Sequence, residues 1–277
     1  MSKKHFNIRQ HYLFHDYYSR LKQIAMVVHE WDNLPDTCNA RFLEKCLFEN
    51  GHAIFVEDAD MSFLNLRVTP SGTLNVYDEP LTFTAYSTTY NKEYTADNCV
   101  YIRNNYQAKS TDSTIIIYAE KLANLDLTIE VNINAQKTPV LIRTDDKTKN
   151  SLDMVYNHYE GNKPVIFATK GLQEKPFEVL KTDAPYIADR LREEKRAVWN
   201  EALEFLGINT NPSDKKKERL VVNEVDANNE QIEIQGSTML SAREDAVKLI
   251  NKKYGLSVSV RKRDMNEIKN MVEEGVL

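Results

Sequence analysis

Five short apolar segments between His52 and Gln107 constrain the fold more than any other feature of the chain. They read AIFVE, FLNLRV, TLNVY, LTFTAY and CVYIR, and they are separated by Asp, Pro, Gly and Asn residues. Short runs rich in β-branched and aromatic residues between such turn formers are typical of strands. The segments therefore predict a small antiparallel sheet region. Because helical periodicity occupies the flanking sequence, the predicted fold class is α+β.

Two helices are predicted before this sheet region. Apolar and aromatic residues recur every three or four positions from Arg9 to Trp31, which is the spacing of one helix face. We expect this helix to end before Leu34-Pro35, because the residue before a proline is held out of the helical region. A second helix, from Ala40 to Glu49, should end at Asn50-Gly51, where glycine can adopt the left-handed cap.

The segment from Asp112 to Lys137 carries two conflicting signals. Apolar and polar residues alternate strictly from Leu125 to Ile133, which by itself indicates a strand. The capping residues that begin at Ser110 and the helix-favouring sequence YAEKLANL indicate a helix instead. As a helix, the segment would span roughly 39 Å. The residues alone leave both interpretations open.

The rest of the chain alternates between ordered and loop-like segments. Residues 139–182 mix strand and helix signals in VLIRT, SLDMVYNHYEG, VIFAT and FEVLK. A helix of roughly 36 Å should open at Thr182-Asp183-Ala184-Pro185, with the proline in its first turn, and Gly207 should close it. Residues 209–229 predict a flexible loop. A helix over 231–254, the strand LSVSVR and a terminal helix over 265–274 are expected to follow.

Composition and motifs exclude several classes of protein. The net charge of −5 argues against a tight DNA binder, whose affinity comes largely from cations on phosphates. Neither phosphate-binding motif, GxxxxGK[ST] or GxGxxG, is present, and Cys38, Cys46 and Cys99 fit no metal spacing. No apolar run approaches the roughly 18 residues of a membrane span. We therefore expect no cofactor, no metal and no enzymatic activity.

Several strings follow one another in the order found in one protein family. They are FLEK at 42–45, NAQKTPVLIR at 134–143, VYNHYEGNKPVIFA at 155–168, KTDAPY at 181–186, AVWNE at 197–201, KKER at 216–219 and NEQIE at 229–233. The chain thereby resembles, from about residue 31 to about 254, the portal protein of small short-tailed phages of Gram-positive bacteria. This protein is also called the upper collar or head-tail connector.

The resemblance implies the phage portal fold and a definite assignment of segments. It makes residues 112–137 a helix, which decides between the two interpretations of that segment. The implied parts are N-terminal helices and a β-rich wing over 1–111, a first stem helix over 112–138, a clip over 139–182, a second stem helix over 183–208, a tunnel loop over 209–229, and a C-terminal wing or crown region over 230–277.

The resemblance also implies a function and a set of partners. It predicts a ring of twelve copies at one capsid vertex, through which double-stranded DNA is packaged and ejected. The implied partners are the packaging ATPase, the major capsid or scaffolding protein, and the lower collar or tail protein. The protein would assemble in the host cytoplasm and remain in the virion.

Basic residues are the candidate DNA-contacting side chains. In portals the loop after the second stem helix hangs into the tunnel, so the resemblance places Lys215, Lys216, Lys217 and Arg219 against passing phosphates. It also matches Lys181 and Arg190 to positions where the family has channel-facing lysines. Without the resemblance, these residues would be interpreted as cations of a solvated surface.

Two alternative functions remain open on sequence alone. The basic tail residues Lys3, Lys4 and Arg9 could contact a packaging RNA or the motor, although the tail is shorter and less basic than in the related Bacillus phage protein. An RNA-binding structural module of the packaging machinery is therefore the first alternative. A metal-dependent nuclease is the second, although no compact carboxylate cluster supports it. His11 and His15 have the spacing of a metal pair but lack a third ligand, so an exposed helix face is expected there.

Overall fold

The computed structural model describes residues 3–136, 140–144, 165–169, 177–179, 185–209, 222–264 and 267–268. The chain forms two compact units. The first contains Met1–Leu122 and Val198–Leu277, and the second contains Ala123–Ala197.

Helices and strands are segregated along the chain, as expected of an α+β fold, with six strands following one another between two helices. Within the described residues, the helices are α1 (Lys3–Val27), α2 (Ala40–Asn50), α3 (Asp112–Ala135), α4 (Ala188–Phe205) and α5 (Val222–Tyr254). The strands are β1 (His29–Asp32), β2 (His52–Asp58), β3 (Ser62–Leu66), β4 (Val68–Leu74), β5 (Pro80–Tyr86), β6 (Asn91–Thr95), β7 (Cys99–Arg103), β8 (Val140–Thr144), β9 (Val165–Thr169), β10 (Phe177–Val179) and β11 (Ser259–Lys262).

The predicted sheet region is confirmed and consists of two antiparallel sheets, although the segment TLNVY is a strand only as far as Leu74 and strand β6 was not predicted. One has the strand order β3-β2-β7 and the other has the order β4-β5-β6. In the first, Ile54 lies opposite Leu66 on one side and Tyr101 on the other. In the second, Phe83 lies opposite Pro70 and Tyr94.

Strand β2 is buried on both faces and lies at the centre of the first unit. Ala53 and Phe55 pack into a cluster with side chains of α2 and α5. Ile54 and Val56 pack into a second cluster, with side chains of β4, β5 and β6. Because successive side chains of a strand point to opposite faces, one strand supplies both layers. Burying a side chain the size of Phe55 stabilises the fold by about 1.5–3 kcal/mol.

Helix α2 begins and ends where the sequence predicts. The Asn39 side chain accepts a hydrogen bond from the Phe42 N–H at 2.9 Å and caps the start of the helix. Gly51 has φ +84° and donates its N–H to the Leu47 carbonyl at 3.0 Å. A Cβ at Gly51 would lie 2.3 Å from the Ala108 carbonyl oxygen, so both conformation and space require glycine.

The prediction that the first helix continues to Trp31 is wrong. Helix α1 ends at Val27, and Trp31 lies in β1, where it pairs antiparallel with Val260 of β11. The pairing joins His29 to Lys262 at the other end of the two strands. The partner strand is more than 200 residues away, so the apolar spacing around Trp31 carried no sign of it.

A buried ion pair joins α2 to α5 in the first unit. The Arg243 guanidinium donates to both carboxylate oxygens of Glu44, at 2.9 and 2.7 Å. It also donates to the carbonyls of Asn104 and Met239, each at 2.9 Å. The Trp31 indole N–H donates to Glu44 at 2.7 Å. Every charge in this Glu44–Arg243 network is therefore satisfied from inside the unit.

His29 lies beside this network and is buried. Its Nδ1 is 3.9 Å from a Glu44 oxygen and has no hydrogen-bond partner among the described residues. Burial, together with the Arg243 cation, lowers the pKa of His29 to about 3. The imidazole is therefore neutral at physiological pH.

Helix α3 confirms the helical interpretation of the alternating segment. Thr111 accepts the first helical hydrogen bonds, and the Ser110 hydroxyl accepts one from the Asp112 N–H. The alternation has a different meaning on a helix, because residues two apart differ in direction by about 200°. Leu127 and Val131 are four residues apart and share a helix face, yet Leu127 is buried and Val131 is 58% exposed, so burial along this face ends between them.

Helix α4 begins later than predicted. It starts at Ala188, so Pro185 precedes the helix instead of occupying its first turn. Its 18 residues span roughly 27 Å instead of the predicted 36 Å. The start is fixed by a tertiary contact to Asn132 of α3, which local capping rules do not describe.

The end of α4 is where the sequence predicts. Gly207 has φ +77°, and the N–H groups of Gly207 and Ile208 donate to the carbonyls of Glu204 and Leu203, as in a Schellman cap. A Cβ at Gly207 would lie 2.5 Å from the Cα of Gly236 in α5. The cap and the close approach to α5 both require glycine at position 207.

The strands predicted within residues 139–182 are confirmed as a small mixed sheet. Its order is β10-β8-β9, with β8 parallel to β9 and antiparallel to β10. The predicted helix SLDMVYNHYEG lies outside the described residues.

The C-terminal region departs from prediction in one respect. Helix α5 begins at Val222, so the last part of the predicted 209–229 loop is helical and the helix expected from 231 is longer. The predicted strand LSVSVR is confirmed as β11. Of the terminal helix predicted over 265–274, the structure describes only residues 267–268.

Candidate functional site

A pair of helices in the second unit carries the described candidate site. The Asn132 side chain donates to the Pro185 carbonyl at 2.9 Å and accepts from the Ile187 N–H at 3.0 Å. The Asn132 amide thus provides a hydrogen-bond partner for the Pro185 carbonyl and another for the Ile187 N–H at the start of α4. The contact fixes the start of α4 against the C-terminal part of α3.

An ion pair joins the same two helices further along. Lys195 of α4 donates to Asp126 of α3 at 2.6 Å, and both side chains are partly buried. Partial burial reduces solvent screening, so the pair favours one alignment of the helices more than a fully exposed pair would.

Four apolar side chains flank the Asn132 contact and remain exposed. They are Val131, Ile133, Tyr186 and Ile187, which we call the Asn132 patch. Tyr186 is held by a hydrogen bond from its hydroxyl to Asp189 at 3.2 Å. Val131 and Ile133 are two residues apart on α3 and therefore point in directions about 200° apart, so the four side chains expose apolar area on more than one side of the anchored backbone.

Arg190 is the one predicted DNA-contacting residue whose side chain the structure describes. It is exposed in the first turn of α4. Sequence reasoning missed Arg192 and Arg196, two further exposed cations of the same helix. Their signal was the spacing of four residues, which places them on one helix face.

Acidic residues balance these cations along α4. Arg192 pairs with Asp189 at 3.4 Å, and Glu193 and Glu194 are exposed between the arginines. The exposed part of the helix therefore offers scattered single cations.

The other predicted basic residues are described in part or not at all. Lys181, Lys215, Lys216, Lys217 and Arg219 lie outside the described residues. Lys3 and Lys4 belong to the first turn of α1, where the structure describes the backbone, and Arg9 is exposed on the same helix. Arg9 belongs to the first unit and Arg190 to the second.

The titratable side chains around Asp58 contact one another, and so do His11 and His15, all within the first unit. The Asp58 carboxylate accepts hydrogen bonds from Lys92, Tyr90 and Tyr94, at 2.7, 2.9 and 3.0 Å, and these donors lower its pKa. His11 and His15 are exposed, with their Nε2 atoms 3.0 Å apart. Within the described ranges, no group of three His, Cys, Asp or Glu side chains could hold a metal ion. None of the described helices is long and apolar enough to cross a bilayer.

The family model of the Phage Connector (GP10) matches residues 2–267, almost the whole chain. The chain belongs to the phage connector family. It is therefore a portal, or connector, protein of the capsid vertex and part of the virion. A DNA channel agrees with this assignment, whereas the RNA-binding alternative receives no support from it.

Solved portal structures resemble the connector chain in fold. The portal and tail structure of bacteriophage P68 contains a chain with 17% identity and a TM-score of 0.53, and the match covers 98% of this chain and 92% of that one. An HK97-family portal protein from Corynebacterium diphtheriae has 11% identity and a TM-score of 0.45, with coverage of 91% and 93%. The P68 match confirms the predicted α+β portal fold.

Proposed function

We propose that the connector closes into a ring of twelve copies around an axial channel for double-stranded DNA. One chain of 277 residues cannot enclose a duplex. A closed ring needs two different surfaces of each copy to meet head to tail. The Asn132 patch supports this proposal, because it exposes apolar side chains on a backbone that is already held in place.

The DNA channel works as a passive conduit. Packaging requires the duplex to slide, so contacts with phosphates must be weak and blind to sequence. Arg190, with Lys181, supplies scattered cations, and the loop residues Lys215, Lys216, Lys217 and Arg219 supply a local cluster that checks backward slippage. The net charge of −5 limits the overall attraction to DNA.

The partners follow from the position of a connector. The packaging ATPase docks during filling of the capsid, the capsid or scaffolding protein surrounds the ring, and the lower collar or tail protein replaces the motor. The connector itself does no covalent chemistry. Force for packaging comes from the ATPase, since the sequence has neither of the two glycine-rich phosphate-binding motifs.

The family match over residues 2–267 is the observation that most strongly supports the proposal. Electron microscopy of the purified full-length chain tests it. We expect closed rings with an axial hole wide enough for B-form DNA. A stable monomer, or a closed assembly without a hole, would contradict it.

A second experiment tests the tunnel cations. Changing Lys215, Lys216 and Lys217 together to alanine should leave rings intact while lowering the amount of DNA retained in filled capsids. The matched control changes the exposed Lys252 and Lys253 to alanine. Equal retention in both variants and the wild type would remove the loop from the mechanism.

A further inference from the structure

The hairpin tip between β4 and β5 presents apolar side chains to solvent. Val76 is 90% exposed and Tyr77 is 80% exposed, and Leu74 beside them is also exposed. We call residues 74–78 the hairpin tip. Adjacent large apolar side chains at a loop end add little to the core of their own unit and form the kind of exposed apolar surface that a partner covers.

The hairpin tip is held rigid by one side chain. The Asn75 amide oxygen accepts from the N–H groups of Tyr77 and Glu79, at 2.8 and 2.9 Å, and its NH₂ group donates to the Glu79 carboxylate at 3.1 Å. The Asn75 N–H also donates to the Glu79 carbonyl at 2.9 Å. A tip that is already ordered loses little conformational entropy when it binds.

A groove of about 680 Å³ lies elsewhere in the first unit, between α1, β1 and α2. Its lining includes Gln23, Met26, Val27, Trp31, Ala40 and Arg41. More of the groove surface is apolar than polar, and Trp31 is nearly buried within the lining; the carboxylates of Glu30 and Glu44 also line it, and each is paired with an arginine. His29 also contributes to the lining, and its Nδ1 has no hydrogen-bond partner among the residues that the structure describes.

Unpaired opposite charges mark the hairpin tip and the groove. The exposed Asp78 carboxylate has no partner within the described part of the chain, and the same is true of the exposed Arg41 guanidinium at the groove. Other cations of the groove are already paired, Lys22 with Glu49 and Arg263 with Glu30. Arg41 is thus available to the anion that a neighbouring hairpin tip would bring.

We propose that the hairpin tip of one copy seats in this groove of a second copy. Val76 and Tyr77 cover the apolar surface of the groove, and Asp78 pairs with Arg41. The inference rests on the proposed ring, because a head-to-tail ring requires two unlike surfaces that complement each other, and it names a pair of them. The contact is separate from the Asn132 patch, which belongs to the second unit.

Disulfide trapping tests the contact directly in the full chain. In a Cys38→Ser background, Val76→Cys combined with Ala40→Cys should give covalent multimers of increasing size after mild oxidation. Each single variant should stay monomeric on a denaturing gel. The matched control combines Val76→Cys with Leu249→Cys, because Leu249 is more exposed than Ala40 and does not contribute to the groove.

The outcomes separate this contact from the ring itself. Rings in the microscope with no multimers on the gel, or with equal multimers in the Leu249→Cys control, would overturn the inference and leave the ring standing. A protein that forms no rings would overturn both.

Charge reversal gives an independent readout. Asp78→Arg and Arg41→Asp should each lower the fraction of chain in rings severalfold, and the double variant should restore it. Failure of the double variant to recover, with both single variants folded by circular dichroism, would also contradict the pairing.

Discussion

The two units of the connector differ in how deeply their ion pairs are buried. In the first unit, the charges of Glu44 and Arg243 are buried and fully hydrogen-bonded within the chain. In the second unit, the ion pair of Asp126 and Lys195 is partly open to solvent, and the apolar Asn132 patch is uncovered. The first unit therefore buries its central charges, whereas the ion pair of the second unit stays near the surface; both units also expose apolar side chains, at the hairpin tip and at the Asn132 patch.

Removing Arg243 should break the first unit most severely. Arg243→Met keeps most of the side-chain volume but leaves the Glu44 carboxylate buried without its cation, which should lower the free energy of unfolding by about 3–5 kcal/mol. Denaturant unfolding followed by tryptophan fluorescence measures this. Lys248→Ala removes an exposed pair with Asp245 and should change nothing measurable. A similar loss of unfolding free energy in Arg243→Met and Lys248→Ala would show that burial of the Glu44–Arg243 pair does not decide the effect.

Gly207→Ala should produce the next largest loss in the first unit. The left-handed backbone costs about 1–2 kcal/mol for alanine, and the clash with Gly236 adds about 1–3 kcal/mol. Gly255→Ala is the matched control, because Gly255 has φ +65° but open space around its Cβ position. If the two variants lose the same stability by thermal unfolding, the close approach to α5 contributes nothing.

The first unit should lose stability in acid through His29. Its pKa is about 3 in the folded chain, against an ordinary value of 6.5, so the unfolded chain binds the proton first. This contribution is complete above pH 6.5 and falls by up to about 1.4 kcal/mol per pH unit as the pH drops toward 3. His29→Asn should flatten the pH dependence of unfolding between pH 6.5 and 4, whereas His15→Asn at an exposed site should preserve it.

Asn132→Ala tests the internal contact of the second unit. Losing the hydrogen bonds to Pro185 and Ile187 should cost about 1 kcal/mol of local stability. Faster amide hydrogen exchange at the start of α4 measures this effect. Asn134→Ala, on the same helix and exposed, controls for the higher helix propensity of alanine. Equal exchange in the two variants would argue against Asn132 as the anchor.

The smallest effect on stability should come from the Asn132 patch. Val131→Ser with Ile133→Ser should change the free energy of unfolding by less than about 1 kcal/mol, because both side chains are exposed. The same change should lower the fraction of chain in rings, measured by analytical ultracentrifugation. The control is Leu249→Ser. Normal assembly of the patch variant would show that the patch lies outside the contacts between copies.

Local sequence signals predicted the elements whose ends are fixed locally. Helix α2 has its cap residues at Asn39 and Gly51, and strands β2, β3, β5 and β7 lie between turn formers, so these elements were predictable, whereas β6 and the end of β4 at Leu74 were not predicted. Strand β1 was missed because its partner β11 lies at the far end of the chain. The start of α4 was missed because it depends on an amide of α3.

The candidate site was less predictable than the fold. Arg190 could be placed by resemblance, but Arg192, Arg196 and the Asn132 patch were not predicted. The alternation of apolar and polar residues from Leu125 to Ile133 was the sequence signal for exposed apolar side chains on α3. On a helix such a pattern cannot bury every apolar side chain against one neighbour, so the residues left over indicate a surface for association.

The junction at Gly207 has a mechanical consequence. The Lys262 ammonium donates to the Gly207 carbonyl, Lys262 lies opposite His29 in the paired strands, and Gly236 of α5 touches the same point. Tension along α4 would thus reach α5 and a two-stranded sheet through direct contacts, without crossing a compliant loop. In the ring proposed above, a load on the helix would therefore be shared by three distant stretches of chain that meet where the helix ends.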